Sequence, residues 1–199
     1  MDRVKIIDSY KQYFNVTYAM TREQRMHAFR IRYQVYCREF QYEREENFPD
    51  QLERDEYDDQ SLHCLLIHKP SKSVAGCVRL IRPSLKGKTS LLPFEYCCQE
   101  AVDKQKMDIS MLERGSFGEV SRLAVLPAFR RRKSDEKSPI SMPSHQKLIA
   151  SGRDTFPLIS IILMLGILSA LLDNDLKYGF AMMEPRLTRM FRIYGIVFT

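Results

Sequence analysis

Glu119-Val120-Ser121-Arg122-Leu123-Ala124-Val125 is the segment that decides how this chain folds. Its mostly apolar character reads as a strand, preceded by Gly115 to Gly118 and stopped by Pro127, which has no N–H to give to a ladder. A carboxylate and a guanidinium nevertheless sit inside it. Burying either ion without a partner costs several kcal/mol, so the strand must border a polar feature as well as a core.

The same conflict recurs upstream. His63 to His68 and Val74 to Ile81 are apolar runs separated by Lys69-Pro70-Ser71-Lys72-Ser73, which has hairpin-turn chemistry and predicts two antiparallel strands. In the second run Val74, Gly76, Val78 and Leu80 take one side and Ala75, Cys77 and Ile81 the other, so Arg79 is expected to be partly buried. Residues 21–40 read as an amphipathic helix, with Thr21 and Gln24 at capping-box spacing and Met26, Phe29, Tyr33, Tyr36 and Phe40 three and four apart. A 100° step puts Arg32 at the margin of that apolar stripe and turns Arg30 to solvent.

Between helix and hairpin, residues 41–60 hold nine acids against two arginines, with Pro49 and no apolar period, which predicts a loop. It contains Asp55-Glu56-Tyr57-Asp58-Asp59. Arg32, Arg79 and Arg122 are therefore expected to meet carboxylates, with Asp55, Asp58 and Glu119 as candidates, in a buried ionic cluster. Such a cluster either staples the acidic loop over the sheet or forms a functional pocket, because ordinary cores avoid it.

Downstream, residues 94–106 read as a helix, and residues 130–157, rich in Arg, Lys, Ser and Pro, as a long mobile basic connection. Leu158 to Leu172 is nearly all apolar but ends at Asp173, Asn174 and Asp175. A bilayer needs about 20 apolar residues, so this run is expected to be a core helix and not a transmembrane one. Lys177 to Met183 reads as a strand, Glu184 to Tyr194 as a helix closed by Gly195, and Ile196 to Thr199 as the start of another strand. The order predicts a single domain over residues 1–199. It is an α/β (α+β) sandwich with a mixed, mostly antiparallel central sheet flanked by helices.

Composition bounds the rest. The chain has 199 residues, 44% of them hydrophobic, and a net charge of +6, with about +13 on the part outside residues 41–60. A basic body can attract nucleic acid, anionic lipid or an acidic protein, but no aromatic-interleaved basic strand or recognition helix points to nucleic acid. Five cysteines without C-x-x-C spacing suggest reduced, mostly buried thiols, with neither a disulfide framework nor a metal site. Cys64 beside His63 is a poor nucleophile pair, since neighbours on a strand face opposite ways. The opening residues lack a signal-peptide pattern, which gives a cytoplasmic expectation.

The pattern Arg32-x-x-x-Tyr36, Asp55-x-x-Asp58, Gly76-Cys-Val-Arg79-Leu80 and Glu119-Val-Ser-Arg122 resembles the acyl-homoserine-lactone (autoinducer) synthases. Arg32-Tyr-Gln-Val-Tyr-Cys, Leu62-His-Cys-Leu-Leu, Glu119-Val-Ser-Arg-Leu-Ala-Val and Met183-Glu-Pro-Arg-Leu are similar, more closely, to the GNAT-like acyltransferases of bacterial PEP-CTERM/exosortase systems. The resemblance spans roughly residues 25–199. It implies a GNAT fold and direct attack of an amine on an acyl thioester delivered by acyl carrier protein. No tightly bound cofactor is implied; the phosphopantetheine thioester is the donor, in preference to acyl-CoA.

On that resemblance Glu119 is expected to accept the amine proton and backbone N–H groups near Leu126 to hold the oxyanion. Arg32, Tyr36, Asp55, Asp58, Arg79, Ser121 and Arg122 would shape the acceptor side. Arg130, Arg131, Arg132 and Lys133 would meet the acidic carrier protein and its phosphate. The sequence also departs from the pattern. Tyr36 and Tyr42 stand where the synthases have Phe and Trp, and no glycine loop falls near Phe129 to Lys137 to cradle a pyrophosphate. Phe191 occupies the place of the Tyr that serves many GNAT enzymes as general acid. The similar proteins continue with further strands, so one edge of the acceptor site would be absent or come from another subunit, which is compatible with a homodimer. The competing expectation is a non-catalytic sensor of the same fold that binds acyl carrier protein or a lipid-like ligand.

Overall fold

A computed structural model describes residues 11–83, 91–98, 108–130 and 156–198. Among the described residues five strands lie in sequence order: β1 (Phe14–Tyr18), β2 (Ser61–His68), β3 (Ser73–Ile81), β4 (Phe117–Val125) and β5 (Tyr178–Ala181). The first four are antiparallel neighbours, and β5 joins β4 in parallel. The sheet is mixed and mostly antiparallel, as the sequence predicts. β1 is an addition to the strands that the sequence predicts, the first of which starts at His63.

Helix α1 (Arg22–Arg32) covers one face of the sheet. Its start is fixed by the expected capping box: Thr21 Oγ1 accepts the Gln24 N–H at 3.2 Å and Gln24 Oε1 accepts the Thr21 N–H at 3.0 Å. Contrary to one uniform helix to residue 40, a π-helical segment continues it over Tyr33–Glu39. The widened turns let Tyr33, Val35 and Cys37 all be buried and direct Tyr36 to the sheet, where its hydroxyl donates to the Leu123 carbonyl at 2.9 Å. A short helix, α2 (Pro93–Cys97), lies at the Ile81 end of this face and occupies part of the expected 94–106 helix. Residues 99–106 lie outside the described residues.

The opposite face is covered by α3 (Phe156–Asp173), the expected apolar helix. Ile159, Leu163, Ile167 and Ala170 are wholly buried against Cys64, Leu66, Val78 and Leu80, while Leu165, Leu168 and Leu172 face solvent. Gly166 allows β1 to approach, because a Cβ there would stand 2.7 Å from Val16. Among the described residues no helix is long and apolar enough to cross a membrane. Helix α4 (Pro185–Ile193) follows β5. Ile196 to Phe198 form no strand, correcting the expectation for 196–199: no described strand runs beside them to complete a ladder. Of the expected basic connection, residues 131–155 lie outside the described residues.

Candidate active site

The strand carrying Glu119 and Arg122 places its ions by pleat and by one irregularity. Phe117, Glu119 and Ser121 share the α1-side face with Arg79 and Ile81, and Val120 faces α3. Ladder pairing then slips between Cys77 and Arg79, where Arg122 adopts a left-handed backbone with φ of 55°. A β-bulge of this kind re-aims a side chain, and here it brings the Arg122 guanidinium onto the α1-side face.

Three arginines and three acids converge there. Arg32, fully buried, donates from Nε to Glu53 and from Nη1 and Nη2 to both Asp58 oxygens at 2.6 and 3.0 Å. Arg79 Nη1 donates to Asp55 Oδ1 at 2.6 Å and Asp58 Oδ1 at 2.9 Å, and its Nε to Ser121 Oγ at 3.2 Å. Arg122 reaches Glu53 Oε1 at 3.1 Å and Asp55 Oδ2 at 3.3 Å, with Glu43 3.8 Å away, and its guanidinium lies over the Tyr36 ring at 5.7 Å. The Asp58 carboxylate also accepts the Asp55 N–H at 2.8 Å. The three guanidinium charges face Glu53, Asp55 and Asp58, and the Nε of each arginine is hydrogen-bonded, which helps make such burial tolerable.

The cluster has a dry base and a wet lip. Arg32, Arg79, Glu53 and Asp58 are buried, whereas the side chains of Arg122, Asp55 and Glu43 keep 29%, 20% and 39% exposure. Arg79 is thus wholly and not partly buried, because the acidic loop closes over it. Arg32, Tyr36, Asp55, Asp58, Arg79, Ser121 and Arg122 are all brought together. Glu53 takes the place expected for Glu119 as the third acid. No periodicity singled it out among nine loop carboxylates; its N–H donates to the Phe29 carbonyl at 3.2 Å, which docks that point of the loop on α1.

Glu119 makes no ion pair among the described residues. It is buried beside the cluster and accepts the Phe94 N–H at 2.8 Å. Burial raises its pKa above the ordinary 4.5, against the opposing pull of that N–H and of Arg79 and Arg122. Burial opposes ionisation of Asp58 too, but the hydrogen bonds and charge of Arg32, with Arg79, win and hold it at about 2. Cys64 and Cys77, pushed up to about 12 by burial, stay thiols, and Cys64 faces the α3 core away from His63.

His63 supplies a pH response. Its ring packs edge-on to Phe29, and Nε2, 3.6 Å from Asp58 Oδ1, has no hydrogen-bond partner among the described residues. Burial, aided by Arg32 and Arg79 against Asp58, lowers its pKa from 6.5 to about 4. The folded state therefore resists a proton that the unfolded chain accepts, so stability is lost as pH falls from 6.5 towards 4, by at most about 3 kcal/mol. Asp58, ionised in the fold well below its ordinary 3.8, adds a second loss between 3.8 and about 2. Urea unfolding across this range should show both slopes, and His63→Phe should remove the upper one. An unchanged upper slope in that variant would rule His63 out as its source.

Beyond the cluster the sheet opens. β5 pairs with β4 only from Phe117 to Val120, and past that point no described strand meets the edge. The Leu126 N–H, expected to serve an oxyanion, is donated instead to the Ala75 carbonyl at 2.9 Å. The Leu123 and Val125 carbonyls accept from Tyr36 Oη at 2.9 Å and Arg130 Nε at 2.7 Å, so these two residues turn their main-chain groups, N–H included, away from β3. Arg130 is committed internally, to Val125, to Glu39 and over the Phe40 ring at 5.1 Å. Arg131, Arg132 and Lys133 lie outside the described residues. Phe191 is fully buried, and Tyr194 is 44% exposed.

The sequence model of the acetyltransferase (GNAT) domain matches residues 31–137, which hold every member of this cluster. No curated protein matches the chain. Among solved structures, the fold is similar to that of BjaI, a CoA-dependent acyl-homoserine lactone synthase solved with SAM and isopentyl-CoA. The TM-score is 0.55 at 19% identity, over 93% of this chain and 72% of that one. TofI, in a ternary complex with an inhibitor and MTA, gives 0.52 at 17% identity over 92% and 79%. The AHL synthase LasI gives 0.51 at 15% over 92% and 78%.

Proposed function

The chain belongs to the acetyltransferase (GNAT) domain family, and from that membership we propose that it is an N-acyltransferase moving a fatty acyl group from an acyl-carrier-protein thioester to a small amine. The observation that carries this reading is the opened edge of β4 directly beside the ionic cluster. The first would supply main-chain N–H groups to a thioester oxygen, the second charged side chains to a polar acceptor.

In the reaction the amine nitrogen attacks the thioester carbonyl carbon, a C–N bond forms, and the C–S bond breaks to release thiol. The acceptor, held in its ammonium form, first gives one proton to solvent; the neutral amine loses a second on attack, which Glu119 accepts directly or through water and which passes on to the departing thiolate. The raised pKa of Glu119 suits that task better than the arginine-bound Asp58, whose basicity the cluster has removed. The oxyanion is held by N–H groups of the open edge at Leu123 and Val125, not by Leu126. Arg122, Asp55 and Glu43, the exposed lip, receive the acceptor, the acids its ammonium form and the arginine any carboxylate. Arg32 and Arg79 hold that lip in place from below and are positioning residues.

A second reading, a sensor that binds acyl carrier protein or a lipid-like ligand without turnover, is favoured by the buried Phe191, which offers no proton to a leaving thiolate. Incubating the purified chain with acyl-carrier protein and a panel of amino acids separates the two. Release of thiol with an N-acyl product in the mass spectrum is expected; carrier binding with the thioester intact supports the sensor.

A further inference from the structure

On the same face of the sheet, α1 and the β2–β3 turn enclose a groove of about 420 Å³ that the proposed chemistry leaves unused. Its apolar lining is Ile31, Leu65, Ile67, Val74 and Leu126, with neutral polar groups such as Gln24 and Gln34 between them, and the exposed cations Arg30 and Lys72 border it. Its size falls within the roughly 300–1,000 Å³ typical of binding clefts. No carboxylate lines it, and both cations are exposed with no ion pair among the described residues. This contrasts with Arg130, one of the four cations expected to face the donor, which is spent on Glu39 and the Val125 carbonyl.

Position adds a second argument. The groove ends at Leu126, one residue beyond Val125 and the open edge of β4. A partner seated here would hold a flexible prosthetic arm near the C-terminal end of β4, where the proposed reaction edge lies. An apolar floor under a cationic rim fits an amphipathic acidic helix, aliphatic side chains down and carboxylates outward, in the helix-in-groove mode. A bare phosphate chain would leave the floor unused.

We infer that this groove is the docking surface for an acidic helix of the donor's carrier protein, with Arg30 and Lys72 as its electrostatic contacts. The inference rests on the reading that the acyl group arrives on a protein carrier. Rim charges act chiefly on encounter and are screened by salt, so their loss should appear in KM and in salt dependence and not in the chemical step.

The test uses the full chain with Arg30→Glu and Lys72→Glu combined. With the acyl-carrier donor at low salt, KM should rise about tenfold with kcat within about twofold, and the difference should shrink at high salt. With an acyl-CoA donor, which has no such helix, KM should not move. Calorimetric titration with the carrier alone reads the same surface without turnover, and the double variant should bind about tenfold more weakly. Equal carrier affinity for wild type and variant, or an equal KM rise for both donors, would overturn the docking surface. Wild-type binding that the variant loses, with no product from any donor, would keep the surface and defeat the acyltransferase reading.

Discussion

Glu119→Gln should lower kcat for acyl transfer by about 10²–10⁴-fold with little change in folding. The amide keeps the shape of the side chain and an oxygen to accept the Phe94 N–H, so the local hydrogen bond at 2.8 Å survives. It removes only the ability to take a proton. The wild-type rate should also carry an acid limb: kcat/KM rises with pH as Glu119 ionises, at a pH above the ordinary carboxylate value of 4.5 because burial disfavours the charged form. In the Gln variant that limb should vanish along with the rate. A Gln variant with full activity and the same pH profile would remove Glu119 from the chemistry and leave it as a β4 residue that packs against α2.

Arg32→Met should cost the fold about 3–5 kcal/mol, a large part of the roughly 5–15 kcal/mol that holds a domain together. Met fills similar volume, so the loss is electrical: Glu53, 1% exposed, and Asp58, 5% exposed, would each lose a charged donor in a place water does not reach. The same change at Arg122, whose side chain is 29% exposed, should cost far less, about 1 kcal/mol, since water can replace its partners. Denaturant midpoints for the two variants provide the comparison. Equal, small losses would mean that the cluster base is wet, and the division into buried base and exposed lip would fall. Arg122→Met should instead raise KM for the amine acceptor, which ties the lip to binding and the base to stability.

Much of the site was legible because ions in apolar strands violate a strong rule. Arg79 and Arg122 each interrupt a run that otherwise buries itself, and Arg32 stands at the edge of a helical stripe, so all three demanded partners before any fold was known. Asp55 and Asp58 were found by the same demand. Glu53 was not, because an acidic loop has no period and nine carboxylates look alike until one is pressed against Phe29. Leu126 illustrates the converse. Its place after the strand was readable, yet whether an N–H points to β3 or to the open edge depends on ladder phase past a bulge, which one strand's sequence does not carry.

Strands β2 to β5, helices α3 and α4, the capping of α1 and the need for a neutralised ionic cluster follow from this sequence alone, because propensity, periodicity and the cost of burying charge act locally or by simple balance. Which carboxylate meets which arginine, where β4 parts from β5, and that Arg130 turns inward while Arg30 and Lys72 stay exposed were decided only by the tertiary structure. The reason is that those outcomes depend on distances between segments tens of residues apart, set by register and by the left-handed turn at Arg122, and no local pattern encodes them.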